Sequence, residues 1–595
     1  MIFILFLIVW LIIAMIANNM VVKIFPFSRW EAYGYSLSLV LVIWCLLASM
    51  LTSWFKYNFW LMWLMLFLTM IIFFWINKFL KEVTSKNKQD LVINFNDWPL
   101  IVWLVFYLLV GWGIMTTILS AQGNKIISPW QLLPWWFILL VFMGLIFIFL
   151  SIVKKIKIKK VLYSIIALSF LIHSYLWVYQ NGFGADRFRH LGSENRLLQN
   201  LEYQPTLLTK NLWLTKIGCL KIPQALIDRS KISYSFQWSI EVFLSQITGI
   251  EVFQINKFAL PIIWSLAVPF LFYLIGWLIF SDKNKALIGA ALSNGFYLLQ
   301  YYGAQGLPAA YSVINVLVII PFWLMFLKEK NNKTLSLAVV FTALSYFNYS
   351  LTFLILLALS FLIILLKIKR PLAIFATLII SIILFILELF DYNRFNFSLS
   401  KLRDAWRAGN LLYFDSFSRW SVINIRLFEF LDFLFIIFLI IIVGYIVIKS
   451  WKKNNEAHLV MSLMFCALTA AYFFSWTLLS GEHSLARRLT LFSVIFLVLM
   501  LIDLVYQALF IKQPLFTIGL LSLLFTINFY SGPVLLINIS NQDLNKAQVI
   551  WQDISQFDNY PCIKDDLEVI LSLEAISAKR FQESINSNNC HIINK

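Results

Sequence analysis

From Trp135 to Val153 the chain reads WWFILLVFMGLIFIFLSIV, an apolar run with no charge and no polar face. Runs of this kind recur along the whole sequence, and they constrain the fold more than any other feature. A helix crossing a bilayer needs about twenty predominantly apolar residues. On that basis helices are expected near 1–17, 35–53, 59–77, 99–119, 134–153 and 161–178, then near 258–280, 286–302, 309–327, 333–349, 351–367 and 371–390. A last group lies near 430–450, 459–479, 488–508 and 514–538. That makes about sixteen spans in an all-α polytopic membrane protein, because hydrocarbon tolerates only segments that satisfy their own backbone hydrogen bonds. Apolar residues make up 61% of the 595 and charged residues only 13%, which leaves too little polar surface for a soluble globule. The first run, Met1 to about Ala17, has no basic lead and no small-residue cleavage site, and so reads as a membrane helix.

The net charge of +18 would suit a nucleic-acid partner if it were gathered on one surface. Instead it falls into short clusters between apolar runs, such as Lys154–Lys160 and Lys452-Lys453. That is the distribution by which loops are held on the cytoplasmic side, so the expected partner is the lipid bilayer and not nucleic acid. With Lys154–Lys160 as anchor, alternation makes 23–29, 78–88, 282–285, 328–333, 367–370 and 452–458 cytoplasmic as well. The intervals 179–257, 391–429, 480–487 and the tail after Asn538 then lie outside, as do both termini. The hairpin between 333 and 367 turns on the short interval Tyr346–Ser350, and the threading depends on it.

Polar side chains kept at a membrane interface are costly and tend to mark function. The richest stretch follows the sixth run: Asp186, Arg187, Arg189, His190, Glu194 and Arg196 within eleven residues. On a helix Asp186, His190 and Glu194 share one face, since each step of four advances about 40°. A carboxylate beside an imidazole is suited to taking a proton from a hydroxyl, and Arg187 and Arg189 to binding a departing phosphate. Local ion pairing on a solvated helix accounts for the same spacing. Further on, 197–208 and 234–250 are amphipathic and read as interfacial helices, with Tyr234, Phe236 and Trp238 as aromatic anchors. Interval 391–429 is net basic although expected outside. The turn Glu482-His483-Ser484-Leu485-Ala486-Arg487-Arg488 puts two arginines at the mouth of a span, where phosphate binding and headgroup snorkelling both fit.

These stretches carry a resemblance. An outer loop with an early aspartate after a membrane helix, interfacial helices and then many spans is similar to the layout of GT-C-fold glycosyltransferases. That group includes the protein mannosyltransferases, the aminoarabinose transferases of lipid A and the oligosaccharyltransferases. Tyr234–Gly249 resembles the "YP-G-H-LL-LL--LTG" stretch of bacterial members, and Gln300–Gly306 a polar outer turn that contains Gln305. The resemblance covers about 161–540. It implies a sugar transferred from a polyprenyl-phosphate donor to a glycan, lipid or protein acceptor, in a bacterial inner membrane, with Asp186 at the position of the catalytic carboxylate. It also implies a GT-C-like core over 154–540 and an appended bundle over 1–153, since six runs precede Asp186 where the smallest members have one. A single acidic residue stands at the place where the mannosyltransferases have a pair, so no metal or other cofactor is expected.

The tail 541–595 is polar and mildly amphipathic, and reads as a small extracytoplasmic α/β or helical cap. The five cysteines form no CxxC pair. Cys562 and Cys590 fall in the tail, where a disulfide or two free thiols would both fit. Outside the resemblance, a lipid transporter or flippase and a polysaccharide polymerase or ligase are compatible with the same outer arginines.

Overall fold

A computed structural model describes residues 2–80, 97–126, 128–201, 207, 214–217, 220–390, 394–396, 426–481, 483–531, 538–555 and 565–577. The chain is helical nearly throughout. In order the helices are α1 (Ile2–Ile24), α2 (Arg29–Trp54), α3 (Phe59–Phe79), α4 (Leu100–Leu119), α5 (Trp135–Val153), α6 (Ile158–Ser174), α7 (Ala185–Leu198), α8 (Arg229–Thr248), α9 (Val252–Phe280) and α10 (Lys283–Leu292). After them come α11 (Tyr297–Gly303), α12 (Pro308–Glu329), α13 (Asn332–Leu344), α14 (Ser350–Ile368), α15 (Arg370–Phe390), α16 (Arg426–Lys452), α17 (Glu456–Leu478), α18 (Ser484–Gln507), α19 (Pro514–Ser531), α20 (Asn541–Ile554) and α21 (Leu567–Ser577). Two short antiparallel ribbons pair β1 (Leu214–Ile217) with β2 (Leu220–Pro223), and β3 (Arg394–Phe395) with β4 (Leu479–Ser480).

Among the described residues, twelve helical stretches are long and apolar enough to cross a membrane. This is an integral multi-pass membrane architecture, and it differs from the sixteen expected spans in identifiable places. The run near 286–302 is two short helices, α10 and α11, broken at 293–296. The break is held by polar side chains: Gln300 donates to the Asn294 carbonyl at 2.7 Å and Asn528 to the Gly295 carbonyl at 3.2 Å. Backbone freed at depth in a bundle must find such partners. The run near 333–349 is α13 followed by a 3-10 turn, Ser345–Phe347. At 1.5 Å per residue, the thirteen residues of α13 fall well short of the ~30 Å hydrocarbon core. Helix α19 ends at Ser531 and is a shorter apolar helix.

Inter-helix contacts sort the loops into two ends. At one end Asp97 binds Lys157 at 3.1 Å and Lys160 at 2.8 Å, Lys23 donates to the Asn77 carbonyl, and Lys333 to that of Phe79. Lys285 and Lys449 share Asp503 there, and Lys367 and Arg370 share Glu456. At the other end Gln122 bridges to Tyr179, Phe183 to Asn538, and Asn396 donates to the Leu478 carbonyl. The described residues of the basic clusters named from the sequence therefore gather at a single end.

Residues 1–153 are packed into the same core as the rest: α2 lies on α8 and α12, α4 on α6, and α5 on α19. Helix α8 also departs from expectation. Its aromatic residues Phe236 and Trp238 are buried, because α8 is enclosed by α2, α7, α9 and α12 and does not lie on a lipid surface. The amphipathic stretch expected at 197–208 begins on the last residues of α7, which ends at Leu198, and half of it lies outside the described residues. Among the described residues the cap is helical: α20 starts from a capping box, Ser540 with Asp543, and α21 packs along α7. Cys562 and Cys590 lie outside the described residues.

Candidate functional site

Helix α7 carries most of the residues singled out from the sequence, and it starts at a glycine-dependent turn. Gly182 and Gly184 have φ of +81° and +92°, a region L side chains rarely adopt. A Cβ on Gly182 would lie 1.2 Å from Nη1 of Arg187, so the arginine packs directly against the bare glycine. The turn brings Asp186 to the rim of the bundle, where it is exposed, and turns Arg187 inward.

The shared face of Asp186, His190 and Glu194 runs from rim to interior. The eight steps from Asp186 to Glu194 cover about 12 Å of axis, and exposure falls along them until Glu194 is fully buried. His190 is fixed from α8: Trp238 donates its indole N–H to Nδ1 of His190 at 3.2 Å, and Tyr234 packs edge-on at 4.9 Å.

Asp186 is brought together with a residue from the far end of the sequence. Arg488, in the first turns of α18, lies within electrostatic reach of Asp186, Tyr234, Tyr302 and Tyr349. Its guanidinium stands over the Tyr349 ring at 5.6 Å. Burial pushes the Tyr349 phenol up, with the Arg488 charge opposing. Arg487 is exposed and points elsewhere, over the Trp476 ring at 5.8 Å. His483 stacks on the same ring at 4.4 Å in a left-handed backbone conformation (φ 49°). The turn is held from α15, where the buried Glu388 accepts from the Ala486 N–H at 2.8 Å, a favourable place for a carboxylate at a helix N-terminus. Glu482 lies outside the described residues, as do most of 391–429; Arg394 is in β3, which pairs with β4 just before the arginine turn.

Two of the three arginines of α7, Arg187 and Arg189, are engaged in contacts within the fold. Arg187 is buried, bonded by Nε to Asn256 and by Nη2 to the Phe253 carbonyl at 2.9 Å. Burial lowers its pKa to about 10, with Glu241 and Glu194 opposing, so it stays charged at neutral pH. Arg189 pairs with Glu574 of the cap at 3.8 Å. Neither is presented at the rim beside Asp186 as a phosphate ligand would be.

Glu194 instead meets a partner that sequence reasoning missed. It lies beside Glu241 of α8, also fully buried, inside a network of donors. Glu241 accepts from Asn256 at 2.5 Å and from Tyr311 at 2.9 Å, while Gln237 donates to Glu194 at 3.3 Å and to the Gly306 carbonyl at 3.0 Å. Burial pushes both pKa values up, and the charge of Glu241 raises that of Glu194 further. Hydrogen bonds to Glu241, those from Asn256 and Tyr311 foremost, favour its charged form, so the shared proton resides on Glu194. The signal in the sequence was a glutamate, a glutamine and an asparagine inside otherwise apolar helices.

Gln305 is buried at the turn before α12. Its Oε1 lies 3.3 Å from where a Gly184 Cβ would stand, and its Nε2 has no hydrogen-bond partner. No group of three or more His, Cys, Asp or Glu gathers as a metal-ligand set among the described residues. Set beside family models, curated proteins and solved structures, the chain matches none.

Proposed function

We propose that the chain is a membrane glycosyltransferase of the GT-C type, using a polyprenyl-phosphate-linked sugar at the end of the bundle opposite the basic loops. One observation carries this reading: Asp186 and Arg488, far apart in sequence, share a tyrosine-lined spot at the rim. Transfer at an anomeric carbon needs a base for the acceptor hydroxyl and positive charge for the departing phosphate. The acceptor oxygen bonds to the anomeric carbon as the carbon–phosphate oxygen bond breaks. The hydroxyl proton passes to Asp186, and the phosphate charge develops towards Arg488. Tyr234, Tyr302 and Tyr349 offer aromatic faces and hydroxyls to the sugar, and His190 fixes the wall behind Asp186. With the positive-inside rule, this end is the extracytoplasmic one, with both termini on that side.

The Asp186→Asn variant tests this reading. In membranes supplied with polyprenyl-phosphate hexoses and pentoses it should lose transfer by about 10²-fold or more while keeping wild-type stability. Wild-type transfer rates in that variant would remove the proposal.

The buried Glu194–Glu241 pair favours a second reading, a proton-coupled lipid transporter. Lipid movement that follows an imposed pH gradient and survives Asp186→Asn would select it.

A further inference from the structure

A cavity of about 10 Å³ lies behind the glycine turn, lined among others by Gly182, Arg187, Asn256, Lys257 and Gln305. That is room for one atom the size of a water or a halide. The cations in its wall have unusual company. Lys257 is buried and donates to the Gln180 carbonyl only at 3.5 Å, with its ammonium 5.1 Å from the Phe258 ring. Arg187 stands close enough to repel it electrostatically. Among the described residues, neither cation is within salt-bridge distance of a carboxylate. The third polar group, Nε2 of Gln305, is a buried donor without an acceptor. Ammonium, guanidinium and amide nitrogen are all donors, so the cavity has a surplus of N–H and a shortage of negative charge.

Charge balance points the same way. The neighbouring carboxylates, Glu194 and Glu241, hold one proton between them and so carry about one negative charge against two buried positive ones. An uncompensated buried charge is costly enough that a counter-ion is expected beside it. We infer that Arg187, Lys257 and Gln305 form a binding site for a monatomic anion, a halide such as chloride. A water would satisfy two of the donors and leave the charge unbalanced. A phosphate exceeds the space. The bound halide ties the Gly182–Gly184 turn, and hence the start of α7, to α9 and to the turn before α12. This site is independent of the transferase reading, because it concerns the ion itself and not any sugar.

The test uses the full-length protein in detergent, unfolded thermally in sodium chloride, bromide, gluconate or inorganic phosphate at equal ionic strength. Chloride and bromide should raise Tm saturably above gluconate, and phosphate should not. In Lys257→Gln the half-saturating chloride concentration should rise by at least about thirtyfold, as for loss of one partner from a buried charge pair. Equal Tm in all four salts, stabilisation by phosphate alone, or an unchanged halide response in Lys257→Gln overturns the assignment. Should Lys257→Gln not fold, bromide-soaked crystals of the wild type decide. An anomalous peak between Lys257, Arg187 and Gln305 supports the site, and its absence rejects it.

Discussion

Trp238 donates its indole N–H to Nδ1 of His190 across 3.2 Å, joining α8 to α7 in the buried wall behind the rim. The bond makes Nδ1 an acceptor, so the ring proton resides on Nε2. His190 therefore cannot collect a proton at Nδ1 without breaking this contact, which makes it a residue that positions Asp186, the expected base, and not one that shares the proton through Nδ1. Replacing Trp238 with Phe leaves a buried acceptor unpaired, at a cost of about 1–3 kcal/mol. Denaturation in detergent should register that loss, and sugar transfer should fall much less than in Asp186→Asn. A Trp238→Phe protein as inactive as Asp186→Asn, with unchanged stability, would contradict the assignment.

The adjacent arginines of α18 are predicted to behave differently. Both are exposed, but Arg488 faces Asp186 and three tyrosines whereas Arg487 lies over Trp476. Arg488→Ala should lower kcat/KM for the lipid-linked donor by about 10²-fold, as for loss of a charge-assisted contact. Arg487→Ala should lower it by less than about tenfold. Equal losses in the two variants would place the phosphate outside the Asp186–Arg488 pocket.

The Glu194–Glu241 pair sets a sign for the pH dependence of stability. Burial and the neighbouring carboxylate raise the folded pKa of Glu194 above its ordinary value near 4.5. Above pH 4.5 the folded state then binds the proton that the unfolded state has released, so stability is greatest below that pH. It falls as pH rises, by about 1.4 kcal/mol per unit for one proton, until the folded group also ionises. Glu194→Gln keeps the hydrogen bonds and removes the titration. Between pH 5 and 8 its Tm should decline less than that of the wild type, and parallel curves would reject a shared proton.

Sidedness is checked by thiol labelling in a cysteine-free background. Lys157 sits at the basic end beside Asp97, and Gln199 lies exposed just past α7 at the other. Membrane-impermeant maleimide added to intact cells should label Gln199→Cys and spare Lys157→Cys. The reverse pattern would invert the topology and move Asp186 to the cytoplasmic face.

The sequence by itself determined that the chain is a helical membrane bundle, and which loops gather at one end. Both follow from local quantities, the length of an apolar run and the position of lysines, which lipid and the membrane interface read without reference to distant residues. It also marked Asp186 and the arginine turn as chemically expensive places. It could not tell which polar residues serve packing: Arg187 and Arg189 look like Arg488 in a sequence, yet one is bonded to Asn256 and the other pairs with Glu574. Nor could it foresee that 286–302 is broken, since hydropathy is blind to the amides of Gln300 and Asn528 that hold the break. Tertiary structure decided those points. It set Glu241 against Glu194 and Arg488 near Asp186, because side chains from α7, α8 and α18 meet only after the bundle closes, and burial then fixes which charges must share a proton or find a partner.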